Sequence, residues 1–332
     1  MKAIIIKQHG DPDVLTLIDV PTPEPKMGDV LVKNQAIGVN YVDVQHRQGG
    51  FYAVDLPFIP GIEGAGIVAA IGEDVTEFNI GDRVAYAGHM GGDYAEYTLV
   101  DEQRLVPIPD AISYEVAAAT LLQGITAYGL THHVYPVQAD DWVLVHAAAG
   151  GVGSLLVQLA NLRGATVIGT VSTEAKAQFA HTMGAHHTIN YTEAEFDEVV
   201  NTLTDNQGVH VVYDAIGKTT FDKSLASLRK RGMMVIYGQS SGAVSLFDVN
   251  RLSGITPSLN SGRGSLFLTW SAVSHYVEDR ADLLAYCNAV FAYLANSDIK
   301  PNIADCLPLA DAAEAHRRLE AREVMGKLLL IP

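Results

Sequence analysis

Residues 146–153 read His-Ala-Ala-Ala-Gly-Gly-Val-Gly. They follow an apolar strand-like run (142–146) and precede a segment with helical spacing (152–162). A glycine-rich turn between a strand and a helix is suited to a pyrophosphate, because the free N–H groups of the helix N-terminus point at the anion. Gly150 lets the backbone approach the phosphates, Gly153 permits close helix–strand packing, and Ala149, Gly151 and Val152 complete the face turned to the ligand. Ala148 stands where this fingerprint has its first glycine, so the tight turn has to tolerate a methyl group. The spacing therefore predicts a dinucleotide site.

The choice of dinucleotide is written about 20 residues further on, at the end of the next strand. An Asp or Glu there would bind the 2′-hydroxyl of NAD. This chain has Ser172, with Lys176 one helical turn beyond. Serine leaves room for a 2′-phosphate and the lysine supplies the charge. A charge-assisted contact of about 1.5–3 kcal/mol corresponds to roughly 10- to 150-fold preference for NADPH. Glu174 argues the other way, since a carboxylate beside the ribose repels phosphate. NADP is the expected cofactor.

The turn needs strands and helices to hold it. From about residue 123 the chain alternates apolar strands (142–146, 166–171, 186–190, 209–213, 233–237) with helical patterns (152–162, 173–183, 195–203 and one ending near 225). That alternation predicts an α/β fold with a doubly wound parallel sheet of Rossmann type. The first hundred residues read instead as short strands broken by Gly, Pro and Asp turns, the pattern of a partly closed antiparallel barrel. Strand signals return at 265–269 and 326–331, with helices at 281–296 and 309–321. The organisation expected is residues 1–122 as one domain, 123–264 as the dinucleotide domain, and 265–332 as a return to the first.

Composition bounds the partners. The 332 residues carry 22 Lys and Arg against 38 Asp and Glu, a formal charge of −16. With no dense basic run to offset it, that charge repels a nucleic-acid backbone. Two cysteines, Cys287 and Cys306, support neither a disulfide framework nor a cysteine-rich zinc site, which fits a cytoplasmic setting. No uninterrupted apolar stretch is long enough for a transmembrane helix or a signal sequence.

Several segments together, 36–43, 60–66, 148–153, 212–217, 238–242 and 326–329, make the chain resemble the zinc-independent quinone oxidoreductases of the medium-chain dehydrogenase/reductase superfamily. The likeness runs essentially end to end. It implies a GroES-like, mostly antiparallel substrate domain into which the Rossmann domain is inserted, with NADPH between them. It also implies positions for the site. Asn40 and Thr126 would lie near the nicotinamide, and Lys176 and Tyr191 beside the adenosine phosphate. Gly217, Gly238 and Ser240 would line the cofactor, Phe267 and Thr269 would return toward the nicotinamide, and Arg322 would reach a phosphate. The zinc branch of the superfamily needs a Cys near Asn40 and a His at Ile62; neither is present, so no metal is expected.

Without a metal, the acceptor itself must delocalise the incoming charge, as quinones and activated enones do. Asn40 is then expected to orient the acceptor or nicotinamide by hydrogen bonding, Asp43 to fix local geometry or the ribose, and Tyr52 to hydrogen-bond the substrate oxygen or relay a proton from water. Gln45 stands where relatives often have Tyr, and Trp270 where a cation is often seen, which leaves the acceptor open. The alternatives are an NADPH-dependent enone, alkenal or enoyl reductase, and, from another class, an NADPH-binding sensor or RNA-binding protein. Thioester substrates would ask for phosphate-binding basic groups that the substrate segments do not visibly carry. The strand at 265–269 is expected at a sheet edge that pairs across a homodimer.

Overall fold

A computed structural model describes residues 1–89, 91–255 and 263–332. The chain divides into two compact units, Met1–Ile125 together with Val277–Pro332, and Thr126–Tyr276.

The first unit begins with β1 (Lys2–Ile5), β2 (Thr16–Asp19), β3 (Asp29–Val39), α1 (Tyr41–Gln48), β4 (Glu63–Ile71), β5 (Arg83–Ala87), β6 (Tyr97–Asp101) and β7 (Leu105–Pro107). Helix α2 (Tyr114–Gly129) carries the chain into the second unit. There follow β8 (Trp142–Val145), α3 (Gly151–Leu162), β9 (Thr166–Val171), α4 (Glu174–Thr182), β10 (His187–Asn190), α5 (Phe196–Leu203), β11 (Val209–Asp214), α6 (Phe221–Ser227), β12 (Leu228–Ile236) and β13 (Phe267–Trp270). The chain returns to the first unit with α7 (Arg280–Ala295), β14 (Ile303–Pro308), α8 (Ala312–Glu320) and β15 (Lys327–Ile331).

The second unit is a six-stranded parallel sheet in the order β10-β9-β8-β11-β12-β13. Its central strands are near-continuous apolar runs because helices cover both faces. Val143, Leu144, Val145, Val211 and Val212 are fully buried, each worth about 1.5–3 kcal/mol of apolar transfer. The order turns back at the central strand: β9 and β10 build outward on one side of β8, β11 to β13 on the other.

The first unit holds a seven-stranded sheet, β14-β15-β3-β4-β5-β7 with β6 also on β3, and a β1-β2 pair. Its pairs are antiparallel except β14 with β15. Register brings three chain segments to one end of this sheet. Leu328 pairs with Val39, so Lys327 comes alongside Asn40. Ile37 pairs with Gly64, so Glu63 comes beside Gly38.

One sequence expectation is corrected here. The return to the first unit is at Val277, not residue 265, because β13 pairs in parallel with β12 through Met233–Phe267 and Ile236–Trp270 and so extends the second unit's sheet. Helix α2 carries no amphipathic signal in its sequence, because its central residues 117–125 are almost all buried and present no polar face to mark the period. No helix of the described residues is long and apolar enough to cross a membrane.

Candidate functional site

The glycine-rich turn sits at the C-terminal end of β8. Gly150 is the N-cap of α3 in an extended conformation, and Ser154 N–H donates to its carbonyl at 2.9 Å. The N–H groups of Gly151, Val152 and Gly153 therefore precede the helical ladder, at the positive end of the helix dipole. A Cβ on Gly153 would run into the carbonyl oxygen of Ala147, so only glycine brings the helix this close to the strand end. Ala149 is buried; Gly150, Gly151 and Val152 are half-buried.

On the neighbouring strand, β9 ends at Val171 and Ser172 follows, half-buried. Thr173 caps α4 by accepting the Lys176 N–H, and this turn returns the Lys176 ammonium to within 3.3 Å of the Ser172 hydroxyl. Glu174, exposed on the same helix, accepts from the Gln178 amide at 3.2 Å. Tyr191 follows β10 and is 40% exposed.

On the other side of β8, β11 ends at Asp214, whose carboxylate is fully buried and organises the next loop. Its Oδ1 accepts the N–H groups of Ile216 (2.7 Å) and Gly217 (3.0 Å); its Oδ2 accepts the hydroxyls of Thr220 (2.7 Å) and Ser224 (3.2 Å). Gly217 holds φ at +86°, a left-handed conformation that a side chain would strain. Ser240 N–H donates to Ala215 O at 3.1 Å, drawing the loop with Gly238 against the one with Gly217. Phe267 and Thr269 lie on β13, and Thr126 is half-buried on α2.

The remaining expected residues belong to the first unit. Asn40 ends β3 and caps α1, its N–H donating to Asp43 Oδ2 at 2.8 Å. Its side chain is engaged at both atoms: Nδ2 donates to Glu63 Oε2 (3.1 Å), and Oδ1 accepts from Gln123 Nε2 (2.5 Å) and Lys327 Nζ (2.7 Å). Lys327 also binds Glu63 Oε2 at 2.6 Å, and Glu63 Oε1 accepts the Leu122 N–H at 2.8 Å. Lys327 is 3% exposed and Glu63 0%. Asn40 is thus held inside a buried cluster.

Asp43 makes its contacts locally. The residue is 0% exposed, and its Oδ2 takes the Asn40 N–H and the Tyr94 hydroxyl (3.1 Å). Burial pushes its carboxyl up to about 7, against the pull of the Asn40 N–H and the Lys327 ammonium. Tyr52 lies in a 3₁₀ turn (Gly50–Tyr52), half-buried and edge-on to Phe51 at 4.9 Å, and burial raises its phenol. Arg322 is exposed after α8, at φ +58°.

Comparison with known proteins places the fold in a family. Residues 26–110 match the alcohol dehydrogenase GroES-like domain, and residues 151–280 match the family described as zinc-binding dehydrogenase. Quinone oxidoreductase 1 of Escherichia coli (strain K12) is 38% identical over 327 residues, covering 98% of each chain. The chain belongs to the quinone oxidoreductases of the medium-chain dehydrogenase/reductase superfamily. A solved structure of the Escherichia coli quinone oxidoreductase complexed with NADPH superposes with a TM-score of 0.94 at 38% identity, over 100% of both chains. A 2-haloacrylate reductase of a Burkholderia species is likewise 38% identical over 99% of this chain and 98% of its own.

The zinc in the second family description does not fit this quinone oxidoreductase's donor set. Asn40 offers an amide, Ile62 has no lone pair, and the nearby carboxylate, Glu63, is already neutralised by the Lys327 ammonium. Sequence reasoning assigned no role to Glu63, Lys327, Gln123, His146 or Asp214. Glu63, Asp214 and Lys327 lie in segments that carried the family likeness and His146 opens the glycine-rich turn, but only contacts between distant segments reveal what they do.

Proposed function

We propose that this chain reduces quinones, and activated enones of similar electronic character, using NADPH and no metal. The observation that carries the reading is the pairing of a free helix N-terminus after β8 with Ser172 and Lys176, 3.3 Å apart, at the adjacent strand end. A pyrophosphate suits the first and a 2′-phosphate the second. The names of the relatives support the same activity.

In this reading Ala149, Gly150, Gly151 and Val152 hold the pyrophosphate, and Ser172 and Lys176, bordered by Tyr191, hold the 2′-phosphate. Gly217, Gly238 and Ser240 line the rest of the cofactor, Thr126, Phe267 and Thr269 face the nicotinamide, and Arg322 reaches a phosphate. When bound, NADPH supplies the hydride. Asn40 and Asp43 act by fixing the end of β3 and the start of α1. Tyr52 offers a hydroxyl to the acceptor oxygen, its raised phenol keeping the proton at neutral pH.

The reading includes a homodimer. Strand β13 lies at one edge of its sheet, with Phe267 55% exposed, an apolar edge that a second copy would cover. Light scattering at micromolar protein should give twice the chain mass; a monomer rejects this part. The proposed compartment is the cytoplasm, in keeping with two free cysteines, Cys287 buried and Cys306 exposed.

The deciding experiment is a set of initial rates with NADPH and NADH against quinones, 2-haloacrylate and a simple alkenal. Quinone turnover with NADPH preferred at least about tenfold supports the whole reading. Turnover of alkenals or 2-haloacrylate alone keeps the cofactor site and replaces the acceptor. NADPH binding without turnover of any acceptor points to a sensor.

A further inference from the structure

A line of buried hydrogen bonds crosses the second unit beneath the C-terminal ends of three adjacent strands. His146, the first residue after β8, is 1% exposed and both its ring nitrogens are engaged. Nδ1 lies 2.9 Å from Thr170 Oγ1 on β9, and Nε2 lies 2.9 Å from Ser224 Oγ on α6. Ser224 in turn reaches Asp214 Oδ2, at the end of β11, at 3.2 Å.

The protons in this line have one direction. The Asp214 carboxylate only accepts, so the Ser224 hydroxyl proton points at it, and Ser224 Oγ accepts from Nε2–H. A neutral imidazole then carries its lone pair on Nδ1 and accepts from the Thr170 hydroxyl. Burial favours that neutral form, although the nearby Asp214 charge opposes it. Phe196 closes the ring's surroundings edge-on at 4.8 Å.

Each end of the line touches a loop that the proposed NADPH site uses. Thr170 lies two residues before Ser172, and its carbonyl also takes the Ala148 N–H at 3.1 Å, inside the glycine-rich turn. Asp214 holds the N–H groups of Ile216 and Gly217. We infer that His146 is a positioning residue for the cofactor, tying the glycine-rich turn, the Ser172 strand end and the Gly217 loop into one unit through Thr170, Ser224 and Asp214. This rests on the NADPH reading above.

The test is NADPH affinity, by fluorescence titration of folded protein, for Ser224→Ala, Thr170→Val and Thr170→Ser, with adenosine 2′,5′-bisphosphate as a second probe. Breaking one buried bond should weaken NADPH about tenfold in Ser224→Ala and Thr170→Val. Thr170→Ser, which keeps the hydroxyl, should stay near wild type. The bisphosphate, which keeps the adenosine with its 2′- and 5′-phosphates and lacks the nicotinamide nucleotide, should lose much less affinity in Ser224→Ala. The Ser224→Ala and Thr170→Val losses should combine to less than their product, because both cut one line.

NADPH affinities at wild-type values in folded Ser224→Ala and Thr170→Val, with only the melting temperature lowered, would overturn the inference and leave a structural role. If Ser224→Ala does not fold, the comparison of Thr170→Val with Thr170→Ser decides alone. A wild-type protein that fails to bind NADPH overturns the cofactor reading itself, and the inference with it.

Discussion

Two buried polar groupings, one in each unit, are paired to opposite degrees. In the second, the line from Thr170 through His146 and Ser224 to Asp214 is satisfied at every atom, and Asp214 takes two N–H groups and two hydroxyls. In the first, a cluster between α1 and α8 is equally buried but incompletely paired. Arg47 is 0% exposed and bonds Glu320 at 2.7 Å, yet its Nε and Nη1, Asp43 Oδ1 and His316 Nδ1 find no protein partner among the described residues. Tyr94 bridges Asp43 and His316 there, 3.1 Å from each. A satisfied network fixes geometry, whereas an unsatisfied one is paid for by shifted protonation. Hence the Asp43 region should respond to pH near neutrality, whereas the line through His146, held neutral by burial, should respond only on the acid side.

The largest effect expected is from Lys327→Met, which leaves the Glu63 carboxylate buried without its cation. A loss of about 3–5 kcal/mol in denaturant unfolding is expected. Adding Glu63→Gln should recover part of it; a double variant no better than the single would show that the pair is not what matters. Asp43 comes next. Its folded carboxyl is raised to about 7 from an ordinary 3.8, so its stabilising contribution is complete below about pH 4 and is lost as pH rises through 7. Asp43→Asn should therefore gain on the wild type between pH 4 and 7, by on the order of 4 kcal/mol. His316, lowered to about 3 by burial, has the opposite slope: its contribution is complete above 6.5 and is lost as pH falls toward 3. Asp43→Asn should thus expose a steeper acid loss than the wild type shows, and a difference between the two that stays constant with pH would refute the raised carboxyl.

Smaller effects are expected on the cofactor side. Lys176→Ala should raise the KM for NADPH roughly 10- to 150-fold and leave that for NADH nearly unchanged; equal changes for both would remove Lys176 from the phosphate. The smallest is Trp270→Ala. If this half-exposed indole stacks on aromatic acceptors, their KM should rise by a few-fold, in keeping with about 0.5–1.5 kcal/mol for an aromatic pair. An unchanged KM across aromatic quinones would reject that contact.

The local elements of the proposed cofactor side are legible in the sequence alone. The turn at 146–153 and the Ser172–Lys176 pair are local: a helix N-terminus, its cap and a residue one turn on are fixed within a few positions, so type and spacing suffice. The strand–helix alternation is a local period as well. Family likeness then named positions without giving their contacts, which is how Asn40 came to be expected beside the nicotinamide while its amide is engaged by Glu63, Gln123 and Lys327.

What tertiary structure alone decided lies in pairings between distant segments. Lys327 meets Asn40 across 287 positions because β15 registers against β3, and His146 meets Ser224 across 78 because α6 packs back over the sheet. The return at Val277 rather than 265 was decided by β13 joining β12. Burial is likewise a property of the whole fold, and it is burial that raises Asp43 and lowers His316. The sequence by itself determined which local elements form and which phosphate chemistry they suit. Which buried charges meet, and at what protonation, depended on register and packing that no local pattern encodes.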